Sequence, residues 1–361
     1  MRKSQPPTAR LIELDSLRGL AAICIVFWHY SSHFHVQPLG WLLRPFYGNG
    51  WIFVDFFFVL SGFVLGRTYI SQSKSIAFIK NIKHRLSRLY PLHFLTLLAA
   101  ALGQLIIIWK FKSPFVYEFN DIYHFILNLL LLNQSGLERG LSFNGPAWAV
   151  SSEFMINILF FSIITLPRKW VVVAFVLLLL ASFALLIPKG VLTSDVLIMG
   201  FIDPSLLRTA MGFFMGTLLA LGMERRKSRF SYSSLADIVS LAMLITIVGY
   251  LAWKPMASAA RSDFILVLII FPTLMLSIIG SNFIKKFLQL KLFVILGAIS
   301  YSIYLWQFPL ELASRLVAGA LQTSLPYGQP WFLVIYMTIL VIISGLSYKF
   351  IEQPTKRYFA F

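Results

Sequence analysis

The chain has 361 residues, of which 58% are hydrophobic and only 12% charged. A soluble globular domain carries roughly 25% charged residues. The composition therefore excludes a soluble fold and points to an all-α, polytopic bundle of transmembrane helices. The formal net charge of +17 does not call for nucleic acid. Lys and Arg of a membrane protein collect in its cytoplasmic loops beside anionic lipid; capture of an anionic ligand at the same face is the other reading. Cys24 is the only cysteine, so no intrachain disulfide forms, and inside an apolar segment it suits packing.

The N-terminus, MRKSQPPTAR, is basic and precedes an apolar run, as in a signal peptide. The run contains Arg18 and His29, and no small-residue cleavage site follows it, so the first helix is expected to be retained behind a cytoplasmic tail, 1–13. In LRGLAAICIVFWHY, Arg18 and His29 are eleven residues apart. A helix returns them to one face, about 16 Å apart along its axis, roughly half the hydrocarbon thickness of a bilayer. Ionisable groups at that depth are costly and mark a candidate site. His29 suits a general base for a hydroxyl; its alternative role is a hydrogen bond to a neighbouring helix. His33 and His35 are expected to face the outer surface.

The second segment, 51–70, carries Asp55 about one turn inside its outer end. The stretch 71–88 follows, with Ile76, Phe78, Ile79, Ile82 and Leu86 at mostly helical spacing among basic residues. It predicts an amphipathic helix on the inner leaflet. Arg85 and Arg88 share a face there. Two guanidinium forks suit a pyrophosphate or another polyanion; lipid phosphate is the plainer partner. A span is expected over 89–109. The apolar piece 122–133 is short for the 20 or so residues that a crossing needs. The span 146–166 places Pro146 in its first turn and Glu153 about two turns inside its outer end. Asp55 and Glu153 are both expected in the outer half that His29 approaches, either paired with neighbouring helices or acting with His29.

Further spans are expected over 170–187, 206–223, 235–253, 263–281, 293–312 and 331–351. If 122–133 does not cross, ten spans put 22 of the 31 Lys and Arg on the N-terminal side and 9 on the other. If it crosses, the asymmetry largely disappears. The positive-inside rule thus favours ten spans, both termini cytoplasmic, and 122–133 as a re-entrant or interfacial segment. The chain is expected to be a single integral-membrane domain, 1–361, without a C-terminal soluble domain. It carries no metal-ligand cluster, Walker loop, dinucleotide fingerprint or Gly-x-Ser-x-Gly elbow.

Six motifs, LDSLRGLAAICIVFWH, FVDFFFVLSGF, RLSRLYP, PAWAVSSEF, SYSIYLWQFP and IEQPTKR, resemble in that order the signatures of the acyltransferase family 3 membrane proteins, over about 14–357. The resemblance implies a multi-pass inner-membrane O-acyltransferase. Such an enzyme moves an acyl group, usually acetyl, from cytoplasmic acyl-CoA to a hydroxyl of an extracytoplasmic carbohydrate such as O-antigen, exopolysaccharide or another cell-surface glycan, with a glycan or a lipid-linked sugar as the acceptor partner. It keeps no permanently bound cofactor; acetyl-CoA is the donor substrate. The family's essential His and Arg fall on His29 and Arg18, its Arg pair on Arg85 and Arg88, and its acid on Glu153, with Asp55 as a further candidate. Trp148, Ser152, Tyr301, Trp306 and Gln307 are the candidate acceptor contacts. This chain departs from the pattern at Gln307, where relatives often carry His, and Gln cannot act as a base. The rival reading is a proton-coupled glycan or lipid transporter, for which buried His, Asp and Glu residues would also serve.

Overall fold

The computed structural model describes residues 10–70, 77–193, 196–225 and 233–358. Among them there is no strand, only one isolated bridge between Ile198 and Ile202. Nine helical segments among the described residues are long and apolar enough to cross a membrane, and each overlaps one of the nine spans expected after the first.

The first helix, α1 (Ile12–Phe34), is not among those nine. Glu13, Asp15, Arg18, His29 and His33 lower its apolar content. At 23 residues it is still about 34 Å long. It carries these polar groups because it runs through the protein interior, where other helices supply partners. Glu13 and Asp15 lie in its first turn, favourable to the helix dipole. We call the end of the bundle where α1 begins the basic end and the opposite one the loop end.

A short helix, α2 (Gly40–Asn49), runs through a 3₁₀ turn into α3 (Phe53–Leu65) and a π turn at Gly66–Ile70. The apolar span therefore starts at Gly40 rather than at 51. The next element corrects the expectation for 71–88. Residues 78–88 are not a separate surface helix but the first turns of α4 (Phe78–Phe111), a continuous 34-residue helix with Pro91 inside it; 71–76 lie outside the described residues. The apolar spacing of Ile82, Leu86 and Leu89 runs on into the span without a break, so nothing ends the helix between them. Arg85 is consequently buried.

The 122–133 segment contains only α5 (Ile122–Leu129), about 12 Å long and too short to cross. Asp121 caps it, accepting from the N–H of His124 at 2.8 Å. That bond, with the His124 imidazole, holds the Asp121 carboxyl below its usual range. After a 3₁₀ turn opened by Gly145–Pro146 comes α6 (Trp148–Ile163), then α7 (Arg168–Leu186), α8 (Pro204–Arg225) and α9 (Ser234–Trp253). The short α10 (Asp263–Ile265) continues through a π turn into α11 (Phe271–Gly280). Then come α12 (Phe283–Leu288), α13 (Lys291–Ala320), α14 (Pro330–Ser347) and, after a π turn, α15 (Gln353–Tyr358). The spans built on α7 and α9 are mostly exposed and sit at the periphery.

The centre of the bundle is the contact of α1 with α13, which run parallel. Arg18 meets Gly297 and Ser300, and His33 meets Glu311. Backbones touch at two glycines. A Cβ on Gly19 would stand 2.6 Å from the backbone N of Gly297, and one on Gly297 would strike the carbonyl of Asp15. Small residues of this kind let membrane helices approach closely. A second such seam joins α3 to α8, where Gly62 faces the Phe213 carbonyl and Gly216 the Val59 carbonyl.

A bulky residue at the α1–α13 seam has nowhere to go. Gly297→Val is expected to cost more than the roughly 1–3 kcal/mol of ordinary core overpacking, read as a lowered unfolding temperature in detergent. Gly249→Ala, which meets nothing within 4 Å, is expected to leave that temperature unchanged or slightly raised. Equal behaviour of the two variants would refute the seam.

Candidate active site

Three cavities border α1, one at Arg18 and two, side by side, at Trp28 and His29. The first, of about 110 Å³, opens among α1, α3, α4, α6 and α13. Arg18, Arg85, Arg88, Ser61, Glu153 and Tyr301 supply its polar lining. Arg18 is held against α13. Its Nε donates to Ser300 Oγ at 2.8 Å and its Nη2 to the Gly297 carbonyl at 2.8 Å, while Asp15 lies 3.4 Å away. Ser61 Oγ donates to Glu153 Oε1 at 2.6 Å, and Tyr301 donates to the Leu89 carbonyl at 2.7 Å. Arg85 differs from its neighbours. It is buried, and its Nε and Nη2 have no hydrogen-bond partner among the described residues. An unpaired buried guanidinium is costly; an anion seated in the cavity would remove that cost.

The other two cavities, of about 500 and 780 Å³, lie toward the loop end and share Trp28, His29, Leu141 and Trp148. Tyr304 lines both the basic cavity and the larger of these two, with its hydroxyl anchored on the Pro146 carbonyl at 2.6 Å. It therefore stands between the arginines and the histidine. His29 is buried. Its Nδ1 is 3.1 Å from the Ile25 carbonyl, which can only accept. The proton is thereby assigned to Nδ1, and Nε2 keeps its lone pair. Gln307 is the polar side chain beside His29, and its Oε1 makes no hydrogen bond among the described residues. The larger cavity also holds Gln134, Glu138, Arg139 and Asp203. Burial, with Asp203 nearby, pushes the Glu138 carboxyl up.

Two expectations need correcting. Glu153 lines the cavity of Arg18, Arg85 and Arg88 and not those of His29; α6 enters from the loop end, and five residues carry the carboxylate down to the guanidiniums. His33 does not face the outer surface. Its side chain is 6% exposed, and Nδ1 lies 2.5 Å from Oε2 of the fully buried Glu311. His35 is exposed, as expected.

Both oxygens of Asp55 accept hydrogen bonds from Arg208, at 2.8 and 2.6 Å. The Arg208 guanidinium lies 5.0 Å from the Trp51 ring centre and 5.3 Å from that of Trp148. Trp51, Trp148 and Arg208 all line the larger cavity, so the ion pair sets two of its aromatic walls. Lys254, paired with Asp263 at 2.6 Å, also stacks on Trp51, at 4.8 Å. Ser152 lines none of the three cavities: its hydroxyl lies between the Ala149 carbonyl and Thr209 Oγ1. Nor does Trp306, whose Nε1 donates to Ser347 at 2.6 Å. The sequence reading missed Trp28 and Trp51 as cavity walls, and it missed Arg208 and Glu311. A signal was present for Glu311 and its partner His33: a Glu inside the apolar run LELASRL, four residues after Gln307, and a His four residues after His29.

The sequence profile described as an acyltransferase domain matches residues 11–349. The chain belongs to acyltransferase family 3. Among family relatives, the O-acetyltransferase OatA of Staphylococcus aureus is 25% identical over 368 aligned residues, covering 95% of this chain and 57% of OatA. The chain thus spans just over half the length of these relatives. The acyltransferase MdmB of Streptomyces mycarofaciens is 31% identical over 160 residues, 43% of this chain and 39% of MdmB. Protein 2 in the picA locus of Rhizobium radiobacter is 31% identical over 166 residues, 43% of this chain and 82% of that protein. No solved structure matches.

Removing one partner of the Asp55–Arg208 pair leaves a buried charge alone. Asp55→Ala is expected to cost about 3–5 kcal/mol, measured by thermal unfolding in detergent. The double replacement Asp55→Leu with Arg208→Met should cost less than Asp55→Ala alone. A double variant as unstable as the sum of its singles would show that the two are not coupled.

Proposed function

We propose that this chain is an O-acyltransferase that carries an acyl group, most simply acetyl, from cytoplasmic acyl-CoA to a hydroxyl of an extracytoplasmic carbohydrate. The observation that carries this reading is the succession of cavities along α1: an arginine-lined one with the unpaired Arg85, then Tyr304, then wider ones walled by Trp28, Trp148 and His29. The basic cavity suits the phosphates of CoA, since guanidinium forks bind phosphate through charge-assisted pairs. The pantetheine arm spans the distance past Tyr304 and brings the thioester to His29 Nε2. Tryptophan faces offer a sugar ring a stacking surface, and Glu138, Arg139 and Gln134 offer its hydroxyls hydrogen bonds. His29 acts in one of two forms. It takes the proton of the attacking hydroxyl, or it is itself acylated and passes the group on. The O-acetyltransferase OatA among the relatives supports acetyl as the group and an oxygen as the atom that receives it.

Thiol release tests the reading. Purified protein in nanodiscs is supplied with acetyl-CoA and with membranes of source cells deleted for the gene, which hold unmodified acceptor. It should liberate CoA and leave acetyl ester in the glycan fraction. His29→Ala should abolish transfer while remaining monodisperse. Arg85→Ala should raise the KM for acetyl-CoA by about tenfold to a hundredfold, the size of a hydrogen bond to a charged group, with Arg85→Lys recovering part of the loss. No CoA release by the unaltered protein would point instead to transport. An unchanged KM for Arg85→Ala would assign the arginines to lipid.

The proposed membrane placement has ten spans including α1, the basic end and both termini cytoplasmic, and α5 at the opposite surface. The excess of Lys and Arg at the basic end supports it. Single cysteines introduced at 227 or 286 in a Cys24→Ala background should react with membrane-impermeant maleimide only after permeabilisation, and one at 137 should react in intact cells. Labelling at 227 in intact cells would reverse the topology beyond 122–133.

A further inference from the structure

Beside His29 stands a second imidazole held as a base would be. His33 follows His29 by one turn on the same face of α1, and the two rings are 5.3 Å apart between centres. Both line the same cavity. The only hydrogen bond of His33 among the described residues is from Nδ1 to the carboxylate of Glu311, at 2.5 Å. Glu311 is fully buried on α13, one turn beyond Gln307. The edges of Tyr117 and Phe308 close around the ring, at 5.9 and 5.7 Å between centres. A carboxylate that accepts from Nδ1–H fixes the tautomer and leaves the Nε2 lone pair as a proton acceptor. A buried acid is retained at a cost, and the side chain that meets its Oε2 is His33.

A single-step transfer needs one base, and His29 would suffice. Two bases one turn apart are what a two-step transfer needs, because an acylated His29 can no longer accept a proton. We propose that His33, held by Glu311, is the base that deprotonates the acceptor hydroxyl while His29 carries the acyl group. This rests on the acyl-transfer reading and chooses between its two forms. In the first step His29 Nε2 bonds to the thioester carbon, the C–S bond breaks, and CoA leaves as the thiolate with the electron pair. Nδ1 keeps its proton on the Ile25 carbonyl. In the second step the acceptor oxygen bonds to the acyl carbon and its proton passes to His33 Nε2. The C–N bond to His29 breaks, and its electron pair returns to Nε2. The imidazolium of His33 is paired with Glu311 until the proton leaves to water in the open cavity. His33 is thus a catalytic residue and Glu311 a positioning residue.

The experiment uses the full chain in nanodiscs with radiolabelled acetyl-CoA. Two acyl acceptors are supplied: membranes of the deletion strain, and hydroxylamine, a nucleophile strong enough to take an acyl group from imidazole without base help. Before any acceptor is added, the unaltered protein should release one equivalent of CoA and retain label on His29. His33→Ala should keep that burst and pass label to hydroxylamine at a near-normal rate. It should transfer to the glycan at least about a hundredfold more slowly, the usual contribution of general base catalysis, and exogenous imidazole should restore part of that transfer. Glu311→Gln should slow glycan transfer less than His33→Ala does and leave the burst intact. His33→Gln guards against simple misfolding and should match His33→Ala without imidazole rescue. Absence of a labelled His29, loss of the burst in His33→Ala, or undiminished glycan transfer by that variant would overturn the assignment while leaving acyl transfer standing. No CoA release by the unaltered protein under either condition would remove both readings.

Discussion

Arg18 is bonded to α13 at the place where α1 and α13 touch backbone to backbone, and the rest of the site depends on that contact. Gly19 and Gly297 remove the side chains that would hold the helices apart. The guanidinium then reaches both Ser300 Oγ and the Gly297 carbonyl. Because the two helices run parallel from there, each later turn of α1 meets a fixed turn of α13. Gln307 falls beside His29, and Glu311 beside His33. A pair of helices joined less closely at the basic end would leave the register at the loop end free to slip, and with it the partners of both histidines.

Buried charge is handled in different ways, and the difference separates scaffold from site. Asp55 with Arg208 and Lys254 with Asp263 are saturated pairs: each carboxylate is taken up by its counter-ion, and each cation also lies over an aromatic face. In surroundings of low dielectric such pairs bring modest net stability and a large penalty when broken. Their effect here is to hold Trp51 and Trp148 as walls of a cavity. Arg85 has no such saturation. A cation left with unpaired donors in a cavity beside two other arginines is a site prepared for an anion that arrives from outside the protein.

Glu153 and the 71–88 stretch show why counting along a sequence places groups only in part. Glu153 is one turn and a half into α6, as a residue count requires. Its carboxylate belongs to the basic cavity because Arg85, carried by an unbroken α4, rises to meet it. The distance from a helix end sets a depth; it does not say which neighbour occupies that depth. The same holds for Asp55, whose depth was legible and whose partner, Arg208, lies 153 residues away in the chain. Ser152 and Trp306, conspicuous inside their motifs, turn their polar atoms to Thr209 and Ser347 rather than into a cavity.

Composition and spacing alone specify the class of the molecule, an all-helical membrane bundle, and nine of its spans, because twenty apolar residues in a row have few other stable environments. They also specify that α5 is too short to cross, that Arg18 and His29 share a helix face, and which motifs mark acyltransferase family 3. These are local properties, set by spacing and composition. Helix packing was needed to establish that α4 is continuous, that Tyr304 stands between the basic cavity and the larger cavity at His29, and that His33 turns inward to Glu311. Those depend on which helix faces which, at which rotation and register. Such choices are made by close contacts at a few glycines and by the need of each buried polar group for a partner far along the chain, and no local pattern encodes either.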